Sequence, residues 1–228
     1  MTIVAIHQPN YAPWLGYFHK MARADVFVFL DDAQFSKGSY TNRVQIVGRG
    51  ALRWLTVPVQ HAFGAAINAI VPARTDWPSA HLDTLLTAYR DAACFRGVWP
   101  DVQALYRNLP CESLAASNAA LVTRLAERLG IVTRVLAASS LDIGSTMSDD
   151  RLIAICHKID SDVSYLSGRG GANYQDQAKF SAAGIPLQYT DSIQHSYEQG
   201  GTSFVAGLSV LDAVFHLGWK GAAALVNP

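Results

Sequence analysis

The sequence predicts a doubly wound α/β domain, and three observations predict it. Residues 2–7 (Thr-Ile-Val-Ala-Ile-His) and 26–30 (Val-Phe-Val-Phe-Leu) are almost continuous apolar runs, as strands buried on both faces require. A helix-spaced segment stands between them, so strand, helix and strand follow within about thirty residues, a βαβ unit with a right-handed crossover. The same alternation returns near the carboxyl end around a Gly-rich turn. The expected architecture is therefore a Rossmann-like, mostly parallel sheet with flanking helices, an inserted β-hairpin and a helical middle segment.

Each element follows from local pattern. Pro9 and Pro13 enclose a loop, and Trp14–Arg23 carries Leu15, Phe18 and Met21 at helical spacing. The second strand runs into Asp31-Asp32. From 43 to 59 the pattern changes: Val44 and Ile46, then Gly48-Arg49-Gly50, then Trp54, Thr56 and Val57 predict the hairpin. Helices are expected over 78–91, 99–108 and 114–129, the last closed by Gly130. A strand over 131–136 and a helix over 148–158, capped by Ser148 or Asp149, come next. A strand over 162–166 feeds Ser167-Gly168-Arg169-Gly170-Gly171, and a helix over 173–182, a strand over 186–189 and a helix over 208–217 complete the chain. With no repeat, charge run or low-complexity linker, residues 1–228 read as one domain.

Composition narrows the function classes. Of 228 residues, 50% are hydrophobic and 16% charged; a domain of this size buries roughly three quarters of its unfolded surface and needs no metal or disulfide staple. Eighteen basic residues balance eighteen acidic ones, which argues against a polyanion binder but not against a small phosphorylated ligand. Cys94, Cys111 and Cys156 are odd in number and lack metal spacing, so no metal site is expected and a reducing cytoplasm fits. A strand beginning at residue 2 leaves no room for a signal peptide, and no apolar run approaches the ~20 residues of a membrane span.

The strongest chemical signal is the first βαβ unit. His7 ends strand one and Asp31-Asp32 follow strand two; open α/β sheets bind ligands at these strand ends. A histidine beside a carboxylate is a general-base pair, so His7 and Asp31 are the expected catalytic residues. Gln8, Asn10 and Tyr11 in the following loop, Asp32 and Gln34 after strand two, and Asn42 and Arg43 before the hairpin are expected to contact substrate. Arg43 suits a carboxylate or phosphate. The second signal is the turn after residue 166, where backbone N–H groups can cradle a phosphate, with Ser167, Gly168, Arg169 and Tyr174 as contacts. The turn is neither a P-loop nor a dinucleotide fingerprint. Trp54, Trp77, Trp99 and Tyr89 read as core aromatics, His81 as a cap, Lys20 and Lys37 as solvated, and Arg151 as an anion contact or a partner of Asp149 or Asp150.

The blocks Ala5-Ile6-His7-Gln8-Pro9-Asn10-Tyr11, Pro13-Trp14-Leu15-Gly16-Tyr17-Phe18 and Ala24-Asp25-Val26-Phe27-Val28-Phe29-Leu30-Asp31-Asp32 together resemble the opening of the WbqC-like family. The likeness continues through Asn42-Arg43, Trp54-Leu55-Thr56-Val57-Pro58-Val59, the Tyr165–Tyr174 turn and Leu208-Ser209-Val210-Leu211-Asp212; His216 departs from it, where the family tends to carry Asn. The resemblance implies a bacterial protein of O-antigen or other surface-polysaccharide gene clusters, and transfer of glycine or a related acyl group to an amino sugar. It carries over no catalytic residues and leaves the cofactor unknown.

Three functions are thus in play. The first is an acyl or aminoacyl transferase acting on a nucleotide-linked or lipid-linked amino sugar, supplied by an acyl or aminoacyl carrier. Nucleic acid is not expected, unless a charged transfer RNA is the donor. The second is an ATP-dependent activating enzyme of nucleotidyltransferase-like type, although Leu15-Gly16-Tyr17 stands where that class carries Gly-His. The third is a non-catalytic scaffold of a polysaccharide assembly complex.

Overall fold

The computed structural model describes every residue except Arg49, 192–195, Thr202 and Pro228. In chain order the elements are β1 (Thr2–His7), α1 (Leu15–Ala22), β2 (Val26–Phe29), β3 (Arg43–Gly48), β4 (Ala51–Thr56), β5 (Val59–Gln60) and β6 (Val71–Pro72). Then follow α2 (Trp77–Tyr89), α3 (Phe95–Tyr106), α4 (Leu114–Arg128), β7 (Arg134–Ala137), α5 (Ser148–Ile159), β8 (Val163–Ser167), α6 (Gln177–Ala182), β9 (Leu187–Tyr189) and α7 (Val210–Val226).

The central five-stranded sheet has the order β7-β2-β1-β8-β9, and all its pairings are parallel. The chain winds outward on one side of β1 through β2 and β7, then crosses back to lay β8 and β9 on the other. The expected fold class holds, and the order of connection reverses between β1 and β8. Alternating side chains serve two apolar layers. Ala5, Phe27, Phe29 and Leu166 face α1, α7 and the helical middle, while Val4, Ile6, Val26, Val28 and Tyr165 face Ile155, Cys156 and Phe180 of α5 and α6. Covering on both faces is why β1 and β2 lack polar alternation.

The hairpin β3–β4 forms as expected, in the register Gln45↔Trp54; Arg49 of its turn lies outside the described residues. Other boundaries move for identifiable reasons. The third sheet strand begins at Arg134 rather than 131, because the N–H of Ile131 closes the end of α4 on Ala126 and the hydroxyl of Thr133 donates to the Met21 carbonyl. α3 starts at Phe95 and carries Pro100 inside it. Neither Ser148 nor Asp149 caps α5; Met147 holds the N-cap position without a side-chain bond. The helix expected over 173–182 starts at Gln177, where Asp176 caps it, and a 3₁₀ turn, Arg169–Asn173, precedes it. The last helix does break after residue 217, where Gly218 adopts φ 73° and ψ 173°, then resumes to Val226. Glycine tolerates that left-handed backbone.

Candidate functional site

A crevice of about 1500 Å³ opens at the carboxyl ends of the sheet strands. His7 at the end of β1, Asp32 beyond β2, Ser167 at the end of β8 and Thr190 beyond β9 all line it. Ala5 pairs with Leu166, and continuing that register puts Gly168 opposite His7. The crevice therefore straddles the β1–β8 reversal, where neighbouring connections leave in opposite directions and open a gap for a ligand.

The ring of His7 packs 4.7 Å from that of Tyr17 and 6.1 Å from that of Trp14. Its Nδ1 lies 3.1 Å from the carbonyl oxygen of Gln8. A carbonyl only accepts, so Nδ1 carries the proton and Nε2 the lone pair. Burial, reinforced by the charge of Lys20, holds His7 down to about 3; the ring is neutral at physiological pH, with Nε2 as the acceptor.

Lys20, expected in solvent, is 3% exposed and lines the crevice one turn along α1 from Gly16. Its Nζ donates to the Ile6 carbonyl at 2.9 Å and stands 5.8 Å from the centroid of Phe27. Burial lowers it to about 7. Opposite, Arg151 on α5 forms an ion pair with Asp32 and donates to the carbonyls of Gly144 and Thr146. Its partner is thus neither Asp149 nor Asp150. Among the described residues the second carboxylate oxygen of Asp32 is buried without a hydrogen bond, as is Oε1 of Gln175, which also lines the crevice.

The Ser167–Gly171 turn also borders the crevice. Gly171 is fixed by space: a Cβ there would collide with Oγ of Ser167 and Oε1 of Gln175. Arg169 is exposed at the mouth, and Tyr174 is 76% exposed there.

The expected site residues thus separate into two groups. His7, Gln8, Asp32, Gln34, Ser167, Gly168, Arg169 and Tyr174 line the crevice. Asp31 does not join His7. β2 ends at Phe29, so strand alternation no longer governs Asp31, and its carboxylate accepts from the backbone N–H and hydroxyl of Ser139 at 3.0 and 2.6 Å. The Gln8 carbonyl orients His7 instead. Asn10 and Tyr11 are buried away from the crevice, and Asn42 donates to the Val57 carbonyl at 3.2 Å. Arg43 stacks its guanidinium 4.1 Å from the Trp54 ring centroid, on the hairpin.

These buried groups instead form a frame. Nε2 of His81 donates to the Thr56 carbonyl, so its Nδ1 accepts from Tyr11, whose hydroxyl in turn accepts from Tyr106. Burial lowers His81 to about 4, in keeping with that neutral role. Asn118 on α4 donates to the carbonyls of Pro9 and Thr41 at 2.8 and 2.7 Å, pinning the loop after β1. Behind the crevice, Asp212 accepts from Tyr89 and Tyr197, and burial raises its pKa.

Fold and site together define a doubly wound α/β protein with a crevice at its topological switch point. The chain belongs to the WbqC-like protein family, which it matches over residues 8–224. It is similar to "Uncharacterized protein Rv1507c" of Mycobacterium tuberculosis, with 31% identity over 221 residues, covering 96% of this chain and 95% of that one. Among the described residues no helix is long and apolar enough to cross a membrane, and no group of three or more His, Cys, Asp or Glu could hold a metal ion.

Proposed function

We propose that the protein is a transferase that moves glycine or another acyl or aminoacyl group onto the amino group of a sugar, in surface-polysaccharide (O-antigen) or related biosynthesis. The observation that supports this best is His7, a neutral imidazole lining the crevice with Nδ1 committed to the Gln8 carbonyl. The lone pair of the sugar nitrogen attacks the donor carbonyl carbon, a C–N bond forms, and the bond to the donor's leaving group breaks. The proton shed by the nitrogen passes to Nε2 of His7 and from there to the leaving group. Proton transfer of this kind contributes about 10²–10⁴ in rate. A crevice of about 1500 Å³ exceeds the usual small-molecule pocket and suits a nucleotide-linked sugar beside an acyl arm.

A second reading, ATP-dependent activation of an acid or sugar, draws support from the strand order, since such switch points commonly seat nucleotides. One assay separates the two. Purified protein is incubated with nucleotide diphospho-amino-sugars and glycyl or acyl donors, with and without ATP, and products are read by mass spectrometry. Acylated sugar without ATP supports transfer. AMP or pyrophosphate release supports activation. No product from any combination counts against both.

A further inference from the structure

Charge around the crevice is unevenly matched. Asp32 is paired with Arg151, Asp149 accepts the backbone N–H of Asp176, and Asp191 pairs with Arg23. Lys20 and Arg169 line the same space, and among the described residues neither has an acidic partner. Lys20 is the informative one, because a buried ammonium without a counter-ion is costly. Among the described residues its three donors have one acceptor, the Ile6 carbonyl. An apolar residue would fill that site on α1 at lower cost unless something anionic comes to meet the charge. The first turn of α1, Leu15 and Gly16, lines the crevice near it and has no side-chain cap, so its N–H groups add to the positive potential.

We infer that Lys20, with the first turn of α1, forms an anion seat at the floor of the crevice, and that the physiological ligand places a phosphate or carboxylate group there. The inference rests on the crevice being the working site, but not on the reaction performed in it. The negative charge of an anion held beside Lys20 would also raise the basicity of Nε2 of His7 when a ligand is present. The seat would thus couple ligand recognition to the readiness of the base.

The test uses the full chain and needs no turnover. Sulfate stands in for a phosphate group and malonate for a carboxylate; neither titrates near neutrality. Thermal unfolding is followed for the wild type, Lys20→Met and the exposed-site control Lys158→Met. At a hundredfold excess over Kd, a bound anion raises the wild-type and control midpoints by roughly 5–10 °C, and Lys20→Met weakens the binding about tenfold to a hundredfold. Sulfate alone acting assigns a phosphate group; malonate alone assigns a carboxylate; both assign an oxyanion seat in common. Equal shifts in all three proteins would overturn the inference, since they reflect general salt stabilisation, and so would no shift at all.

A second readout uses only the wild type. Calorimetry at pH 8 in two buffers of different ionisation enthalpy should show uptake approaching one proton per anion, as Lys20 is recharged from its value of about 7. His7 is held near 3, and burial keeps Tyr17, Tyr165 and Tyr197 well above their ordinary range, so these four contribute little. Binding without proton uptake would overturn the assignment to Lys20. Anion binding with failed sugar acylation would retain the seat and remove the transferase reading.

Discussion

Replacing Lys20 with methionine should stabilise the protein near neutral pH, and the gain should fade as pH rises. Lys20 is 3% exposed, and burial takes it from 10.5 to about 7. Each pH unit of displacement corresponds to 1.36 kcal/mol, so the charged form carries a penalty of roughly 4–5 kcal/mol. The sign follows from proton counts. Between pH 7 and 10.5 the unfolded chain holds the lysine proton and the folded chain does not, so wild-type stability rises with pH across that window. Methionine has similar volume and no charge, and loses only the bond to the Ile6 carbonyl, about 1 kcal/mol. Lys20→Met should therefore exceed the wild type by about 3 kcal/mol at pH 7 and match or fall below it by pH 10. Urea unfolding of both proteins at several pH values measures the difference, in which titration of all other groups largely cancels. A difference that stays flat from pH 7 to 10 would show that Lys20 is an ordinary solvated lysine, and the reasoning about its burial would fail.

Other expectations follow from the same geometry. His7→Ala should lower turnover in the transfer assay by about 10²–10⁴ with little change in melting temperature; an unchanged rate removes His7 from the mechanism. Asp31→Ala should act on stability, costing about 1–3 kcal/mol by removing the two bonds that Ser139 donates to its carboxylate, while leaving anion-induced shifts in place; loss of those shifts with full stability would restore Asp31 to the site. Tyr11→Phe should also cost about 1–3 kcal/mol, because Nδ1 of His81 and the hydroxyl of Tyr106 both lose their partner; a neutral result in denaturant unfolding would deny the relay. Gly171→Ala should cost about 1–3 kcal/mol of stability, since the new methyl meets Ser167 and Gln175 at the crevice wall, while the anion-induced shift at Lys20 persists; unchanged stability in urea unfolding would mean that the turn has room for a side chain.

The parallel sheet was legible because strands covered on both faces must be apolar along their whole length, and residues 2–7 and 26–30 are. His7 was legible for the same reason, as the polar residue that ends such a run. What followed was harder, because a side chain beyond the end of a strand obeys no periodicity. Asp31 is adjacent to Asp32 in sequence, yet one carboxylate holds Ser139 and the other Arg151. Their partners lie 108 and 119 residues away, and no local pattern reports such distances. Lys20 was missed for a different reason. It flanks the apolar stripe of Phe18 and Met21, where lysines usually reach solvent. In a doubly wound fold, however, a helix between sheet and crevice is covered over more of its circumference. The spacing Trp14, Tyr17, Lys20 was the available signal, since it sets all three along the side of α1 that lines the crevice. Tyr11 and Asn42 are polar and near the site in sequence, as ligands would be; the helical middle covers Tyr11, and Asn42 is buried against the Val57 carbonyl.

Hydrogen–deuterium exchange of the full chain, with and without the best-stabilising anion or nucleotide-linked sugar, reads directly whether the strand-end crevice is where ligand binds. New protection should appear in peptides spanning residues 5–20 and 164–175, which meet at the β1–β8 reversal, with little change across α2 and α3. Protection concentrated on the hairpin or the helical middle, with the strand-end peptides unchanged, would contradict it.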